Sequence, residues 1–301
     1  MNDFITLGNR TESEIIDKLL ELGDDDGSIE LDQSSYKLEG LLQSRSWLST
    51  QHQYGFIPKS PHSSDRFQTI QSTSSIQPQN ELINRRINIR LDCLHIYDYP
   101  KSIFAGRDNV HTILFSFEAK NQTQDGIEVA AFNQTYNARS GQDAGVLGAP
   151  VFIGLSVGRN GVSFSCKTVN IGSSDDQDFV KAINSEGIEK GLQLLTVAQP
   201  ALSALGGIAR GLCNVLAERS KNVAVQHFTL GLDFDKGSTG ARLAIGSYIV
   251  AQVSRADEIN WEDWKYDSQT GAIVRTNLAP NEATFTLPYN AVVFRVSRYQ
   301  E

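Results

Sequence analysis

Methionine is nearly missing from this sequence: Met1 is the only one in 301 residues. A core without that flexible thioether argues against an adaptable, promiscuous groove. Cysteine is scarce as well. Cys93, Cys166 and Cys213 stand far apart, with no CxxC or CxxxC pair. An odd, sparse set suits a reducing compartment better than a disulfide scaffold, and the expected location is the cytoplasm. The N-terminus MNDFITLGNRTESEII lacks the basic and apolar regions of an ordinary secretory signal. No apolar run approaches the ~18 residues that span a bilayer. Cationic excess is absent too: the net charge is −8 and the pI about 5.2. Such a surface repels phosphate backbones, which excludes nucleic acid as a general partner. It would meet an anionic membrane surface only through a bridging cation. Phosphate-loop patterns, GxxxxGK[ST] or GxGxxG after a strand, are missing as well.

What is present suffices for a folded core, with 40% hydrophobic and 21% charged residues. The spacing predicts a short amphipathic helix over 12–22. Thr11 and Glu14 form a capping box, Ile15, Ile16, Leu19 and Leu20 make the stripe, and Gly23 closes it. An acidic turn at Asp24–Asp26 and two strand-like runs around Ile29, Leu31, Tyr36 and Leu38 follow. Residues 58–82 are rich in Ser, Gln and Pro and read as a linker or mobile loop.

From Arg86 onward the period is two. In RINIRLDCLHIYDY, the alternation puts Ile87, Ile89, Leu91, Cys93, His95 and Tyr97 on one face. Further strands are predicted at 110–119, with Ile113, Phe115 and Phe117 inward, and at 127–136, 150–157, 223–234, 247–253 and 290–299. Asn160-Gly161 between alternating runs predicts a type I′ hairpin, and Asp267–Gly271 turns another. The rhythm breaks at 178–220. Leu202, Leu205, Ile208, Leu212, Val215 and Leu216 there follow a helical period after Pro200. The expected fold is mostly β with an α insertion. It is an antiparallel β-sandwich, C2-like or jelly-roll-like, carrying a helical pair and preceded by a small α+β segment. The expected division is 1–57, the 58–82 linker, and a sandwich over 83–301 with the insert at 178–220.

Chemistry-bearing groups are dispersed. Asp98, Asp175, Asp176, Asp233 and Asp235 fall at strand ends and turns, where loops of a sandwich can converge on calcium. That arrangement is similar in architecture to the C2 class of calcium- and lipid-binding sandwiches, although no signature stretch matches. The resemblance implies a calcium site on those five aspartates. LGDDDGSIELDQ at 22–33 is not an EF-hand, because Leu22 and Gln33 occupy the first and twelfth ligand places. Cys93, His95 and His111 could meet across a hairpin, but a lone histidine on an apolar strand face is more often a hydrogen-bonded core residue. Gly154-Leu155-Ser156-Val157-Gly158 has the letters of a nucleophile elbow but leads into a hairpin rather than a helix. Trp261, Trp264 and Tyr266 beside Glu262 and Asp263 suit a sugar platform, and suit a β core better.

With no catalytic motif surviving its context, the expected function is a non-catalytic interaction module. It would bind a protein or surface partner through its loops or helical insert. The alternatives are a hydrolase of sugars or peptides at the loop end of the sandwich, and an effector released by cleavage in the linker.

Overall fold

The structure, a computed structural model, describes residues 3–23, 45–58, 65–100, 110–123, 126–180, 211–235, 241–275 and 285–300. One complete helix is described, α1 (Glu12–Leu22). Its strands are β1 (Gln51–Pro58), β2 (Phe67–Thr69), β3 (Gln71–Ser72), β4 (Arg86–Ile96), β5 (Val110–Thr123), β6 (Gly126–Arg139) and β7 (Gln142–Asp143). They continue as β8 (Ala149–Ser156), β9 (Val162–Asn170), β10 (Val223–Leu232), β11 (Gly246–Val253), β12 (Trp264–Asp267), β13 (Ile273–Arg275) and β14 (Ala291–Arg298). The fold is an antiparallel β-sandwich with a helical insertion. A seven-stranded sheet runs β3-β1-β11-β14-β4-β7, with β8 also on β4. A four-stranded sheet runs β10-β9-β5-β6, and a small third sheet runs β13-β12-β2.

Strand periodicity explains the layers. On β11, Tyr248 and Val250 enter the core between the two large sheets, whereas Ile249, Ala251 and Val253 face the small sheet. β14 does the same, with Val292, Phe294 and Val296 on one side and Ala291 and Val293 on the other. On β5, Ile113, Phe115, Phe117 and Ala119 enter the main core, as their alternation predicts, and Leu114 faces outward. There it joins Val169, Val180, Leu212, Cys213 and Leu216 in a third apolar cluster beneath the helical insert. Four layers result: small sheet, seven-stranded sheet, four-stranded sheet, helices.

Several elements match the sequence pattern closely. α1 has the full capping box on Thr11 and Glu14, and Gly23 closes it in the left-handed region at φ 66°. Gly271, at φ +80°, closes the Asp267–Gly271 turn between β12 and β13. Trp261, Trp264 and Tyr266 are buried as core under the seven-stranded sheet.

Others differ. Residues 65–82 of the segment read as a linker are folded in: β2 pairs with β12, β3 pairs with β1, and Ile70, Ile76 and Leu82 are buried. β1 is a full strand of the large sheet, paired with β11 from Gln51↔Val253 to Pro58↔Gly246. The expected β8–β9 hairpin does not form: β8 pairs with β4 in the seven-stranded sheet and β9 with β5 and β10 in the four-stranded sheet, and the turn that crosses between the sheets has positive φ on Gly161 (+93°) and not on Arg159 or Asn160. That is a turn of negative-φ residues followed by a left-handed glycine, not type I′. A Cβ on Gly161 would lie 2.0 Å from the Leu232 carbonyl oxygen, so only glycine fits.

The single face expected on β4 breaks in the middle. Pairing with β14 steps from Phe294↔Leu91 to Val293↔Cys93, leaving Asp92 bulged. Ile87, Ile89 and Leu91 enter the main core, then Leu94 and Ile96 do, while Cys93 turns toward the small sheet. β10 repeats the device: Val225 is bulged, and the inward set changes from Val223 and Val225 to Phe228, Leu230 and Leu232. In the insert, residues 174–180 and 211–217 are helical, with Leu212 and Leu216 buried but Val215 55% exposed. Pro200, Leu202, Leu205 and Ile208 lie outside the described residues, as do Asp24–Asp26 and the runs around Ile29 to Leu38.

Phe117 centres the main core. Its ring lies 5.2 Å from Phe294, 5.4 Å from Phe164, 5.8 Å from Phe115 and 6.1 Å from Phe152. Phe117→Ala should cost about 3–5 kcal/mol in urea denaturation, through lost transfer energy plus an unfilled cavity. A cost below about 1 kcal/mol would mean that the two large sheets do not pack on this ring.

Candidate functional site

Three places concentrate chemistry, and the first follows from the β4 bulge. Asp92 is buried, and its carboxylate takes two parallel hydrogen bonds from Arg295, at 2.8 Å from both Nε and Nη2. The Ser247 hydroxyl donates a third at 3.2 Å. Burial pushes the Asp92 carboxyl above its ordinary value, with Arg295 and Ser247 opposing. Tyr266 stands on the same side, its phenol pushed up by burial and by the charge on Asp92.

The second place is the turn where the chain passes from the four-stranded to the seven-stranded sheet, Ser140–Asp143. Asp143 Oδ1 lies 2.6 Å from His95 Nδ1 and accepts from the Cys93 thiol at 3.3 Å. His95 Nε2 sits 3.0 Å from the Leu287 carbonyl. From the opposite sheet, His111 Nε2 lies 3.0 Å from Ser140 Oγ. His95 and His111 thus hold one turn from two sheets. Both His95 ring nitrogens are engaged, and burial, then Asp143, holds the Cys93 thiol well above its ordinary range. This cluster is built to fix a crossing. A nucleophile would need the thiolate that its surroundings disfavour.

The third place is the neck of the helical insert. Asp176 is buried and bonds the Arg219 guanidinium and, at 2.7 Å, Asn222 Nδ2. Asn222 also accepts from the Gly172 N–H at 3.0 Å and donates to the Leu216 carbonyl at 3.0 Å. The two ends of the insert are therefore tied together. α1 lies against this neck: Arg10 bonds Glu218 at 2.6 Å, and Lys18 reaches the Arg219 carbonyl at 3.4 Å. Burial works against the charge on Glu21. Hydrogen bonds from Ser220, Lys18 and Lys221 outweigh it and bring the carboxyl down to about 2. Between α1 and the neck lies a cleft of about 240 Å³. Ile5, Leu7, Ala217, Val223 and Ala224 supply its apolar lining, and Arg10, Glu14, Asp17, Lys18, Glu21 and Glu218 its charged lining.

The five aspartates weighed for calcium are spread out. Asp176 is committed to Arg219 and Asn222, and Asp175 beside it is exposed. Asp233 pairs with Arg242 at 3.5 Å and Asp235 is exposed. These two lie beyond Leu232, and Asp176 lies beside Asn222, at the other end of β10. A ten-residue strand separates the two places by roughly 30 Å. The Asp98 N–H bonds Asn290. Among the described residues no cluster of three or more His, Cys, Asp or Glu side chains could hold a metal ion. Ser156 sits on β8, opposite Arg86, and Cys166 is buried with its thiol pushed well up. No described helix is long and apolar enough to cross a membrane.

The bulges that aim Asp92 and Cys93 carry a sequence signal missed by simple alternation. In RINIRLDCLHI the apolar positions are odd through Leu91 and even at Leu94 and Ile96, and that change of parity marks the bulge. The neck has no such signal, because Asp176, Arg219 and Asn222 meet only in three dimensions. Comparison of the chain with protein-family models, with curated proteins and with solved structures gives no match.

Two outcomes follow from these sites. Arg295→Ala leaves a buried carboxylate uncompensated and should cost about 3 kcal/mol, part of which Asp92→Asn on that background should restore. Equal costs for the single and double variants in urea denaturation would show that the buried charge is not what Arg295 answers. The second concerns pH. Burial, then the charge of His227, brings His52 down to about 4. Burial also lowers His111 and His227. Below the ordinary value of 6.5 the unfolded chain binds protons that the folded chain refuses. Stability intact above that value should therefore fall between pH 6.5 and about 4, by up to about 3 kcal/mol from His52 alone. Denaturation midpoints measured across that range test this, and a flatter profile is expected for His52→Asn.

Proposed function

We propose that the protein is a non-catalytic interaction module whose partner is another protein, received at the cleft between α1 and the neck of the helical insert. The cleft carries the reading: an apolar lining with Ile5 43% exposed beside it, ringed by charged side chains of both signs. Apolar centres with polar rims are the usual anatomy of protein interfaces. The buried clusters support the non-catalytic half of the reading. Their carboxylates are paired, their histidines are hydrogen-bonded and their thiols are held protonated. A hydrolase reading draws on the ionisable groups gathered around β4, namely Asp92, Cys93, His95 and Asp143.

Ala217→Arg fills the cleft without entering the sandwich core. A photo-crosslinking side chain at position 5 should trap a recurring protein in the native host. Ala217→Arg should abolish that product and leave the melting temperature unchanged. Hydrolysis of glycosides or peptides by the purified chain, lost in a folded Asp92→Asn variant, would overturn the proposal in favour of the hydrolase.

A further inference from the structure

The cleft between α1 and the neck of the insert has a charge arrangement that its apolar lining does not require. On α1, Glu14, Asp17 and Glu21 fall at i, i+3 and i+7, so one stripe of the helix brings three carboxylates to the cleft. Glu218 adds a fourth from the neck, against two cations, Arg10 and Lys18, among the described residues of the lining. Both cations are already held. Arg10 bonds Glu14 at 3.4 Å and Glu218 at 2.6 Å, and Lys18 bonds Glu21 at 2.9 Å. They are also the deeper groups. The side chains of Arg10 and Lys18 are 25% and 18% exposed, and those of Glu14, Glu218 and Glu21 are 50%, 53% and 36% exposed. An approaching molecule therefore meets carboxylates first. Asp17, in the middle of the stripe, is exposed and makes no hydrogen bond or ion pair among the described residues.

The size of the cleft narrows what it receives. Its volume of about 240 Å³ lies below the roughly 300–1,000 Å³ of pockets that enclose drug-sized ligands. It has room for side chains of a docked segment rather than for an enclosed free ligand. Ile5 offers such a side chain an exposed apolar contact, and Leu7 and Ala217 line the same cleft. An apolar bed inside an acidic rim is complementary to an aliphatic side chain flanked by lysine or arginine. A second copy of this chain is a poor occupant, because copies with net charge −8 repel one another.

Resting on the reading of this cleft as a protein-binding site, we propose that its partner presents a basic, aliphatic peptide segment. Leucine-like side chains enter the cleft, and the lysines or arginines beside them meet Asp17 and the outer carboxylates of Glu14 and Glu218. Such rim pairs set selectivity and association rate more than affinity.

Short labelled peptides titrated with the full chain at low salt, read by fluorescence anisotropy, test this. An amphipathic leucine–lysine peptide should bind. Its leucine–glutamate counterpart and a glycine–lysine peptide of equal charge should each bind at least about tenfold more weakly. Asp17→Lys should raise the dissociation constant of the leucine–lysine peptide about fivefold. Asp257→Lys, the same charge change at an exposed aspartate outside the cleft, should leave it nearly unchanged. A leucine–glutamate peptide bound as tightly, or equal effects of Asp17→Lys and Asp257→Lys, overturns the basic partner. If Ala217→Arg abolishes binding that is indifferent to peptide charge, the cleft stands as the docking site and the basic partner falls. Binding that Ala217→Arg leaves intact overturns both. A leucine–lysine peptide that fails to bind overturns the basic partner, and the crosslink from position 5 decides the cleft separately.

Discussion

Burial of the seven-stranded sheet on both faces is the constraint from which the rest follows. An antiparallel sheet commonly keeps one face wet, and its strands then alternate apolar and polar. All eight residues of β11 are buried, and β14 is buried from Ala291 to Phe294. A sheet of that kind needs a cover on each side. The four-stranded sheet supplies one, through the stacked rings of Phe117 and Phe164, which close on Phe294 of β14. The small sheet supplies the other, with Trp261, Trp264 and Tyr266. Because the first cover is itself a sheet with apolar residues on its far side, it requires a further layer, which the neck of the insert and Phe4 provide.

Two-sided burial leaves little room for polar groups, and several of those present are gathered into hydrogen-bonded clusters. Bulging Asp92 out of the β4 ladder puts a carboxylate where Arg295 can reach it with both nitrogens. The same bulge turns Cys93 onto the side of the small sheet, beside Asp143. Asn290 works similarly at the end of β14. Its side chain accepts from the Tyr97 and Asp98 N–H groups and donates to Gln252, which in turn donates to the carbonyls of Trp47, Ser49 and Val225. One chain of amides thus ties strands of both sheets to the turn before β1. Unpaired polar groups at this depth cost more than their hydrogen bonds return, which favours such closed networks.

The parts legible in the sequence are those in which a local rule decides. Alternation in VHTILFSFEA found the inward face of β5. Capping chemistry found α1 to the residue, and the clustering of tryptophans found the small sheet's core. What stayed hidden depends on where the chain returns. Residues 65–82 look like a linker because their serines and glutamines sit on an exposed face, while only Ile70, Ile76 and Leu82 anchor them. β1, QHQYGFIP, is mixed in character, and only its fully buried partner β11, of equal length, makes it a strand. The polar clusters were invisible for the same reason: Asp92 and Arg295 are hydrogen-bonded from 203 positions apart.

That return path bears on the order in which the chain can acquire its structure. β1 finds its long ladder only on β11, and the carbonyl of Trp47, just before it, waits for Gln252, 205 residues further on. During synthesis, β5 and β6 can zip together through a short connection as soon as both have emerged. β1 must be held without its long ladder until most of the chain has been made. Loop closure of that span is a slow, non-local step. It makes docking of the N-terminal strand a late event in folding and leaves an aromatic-bearing segment, His52 to Phe56, exposed to chaperones in the interval.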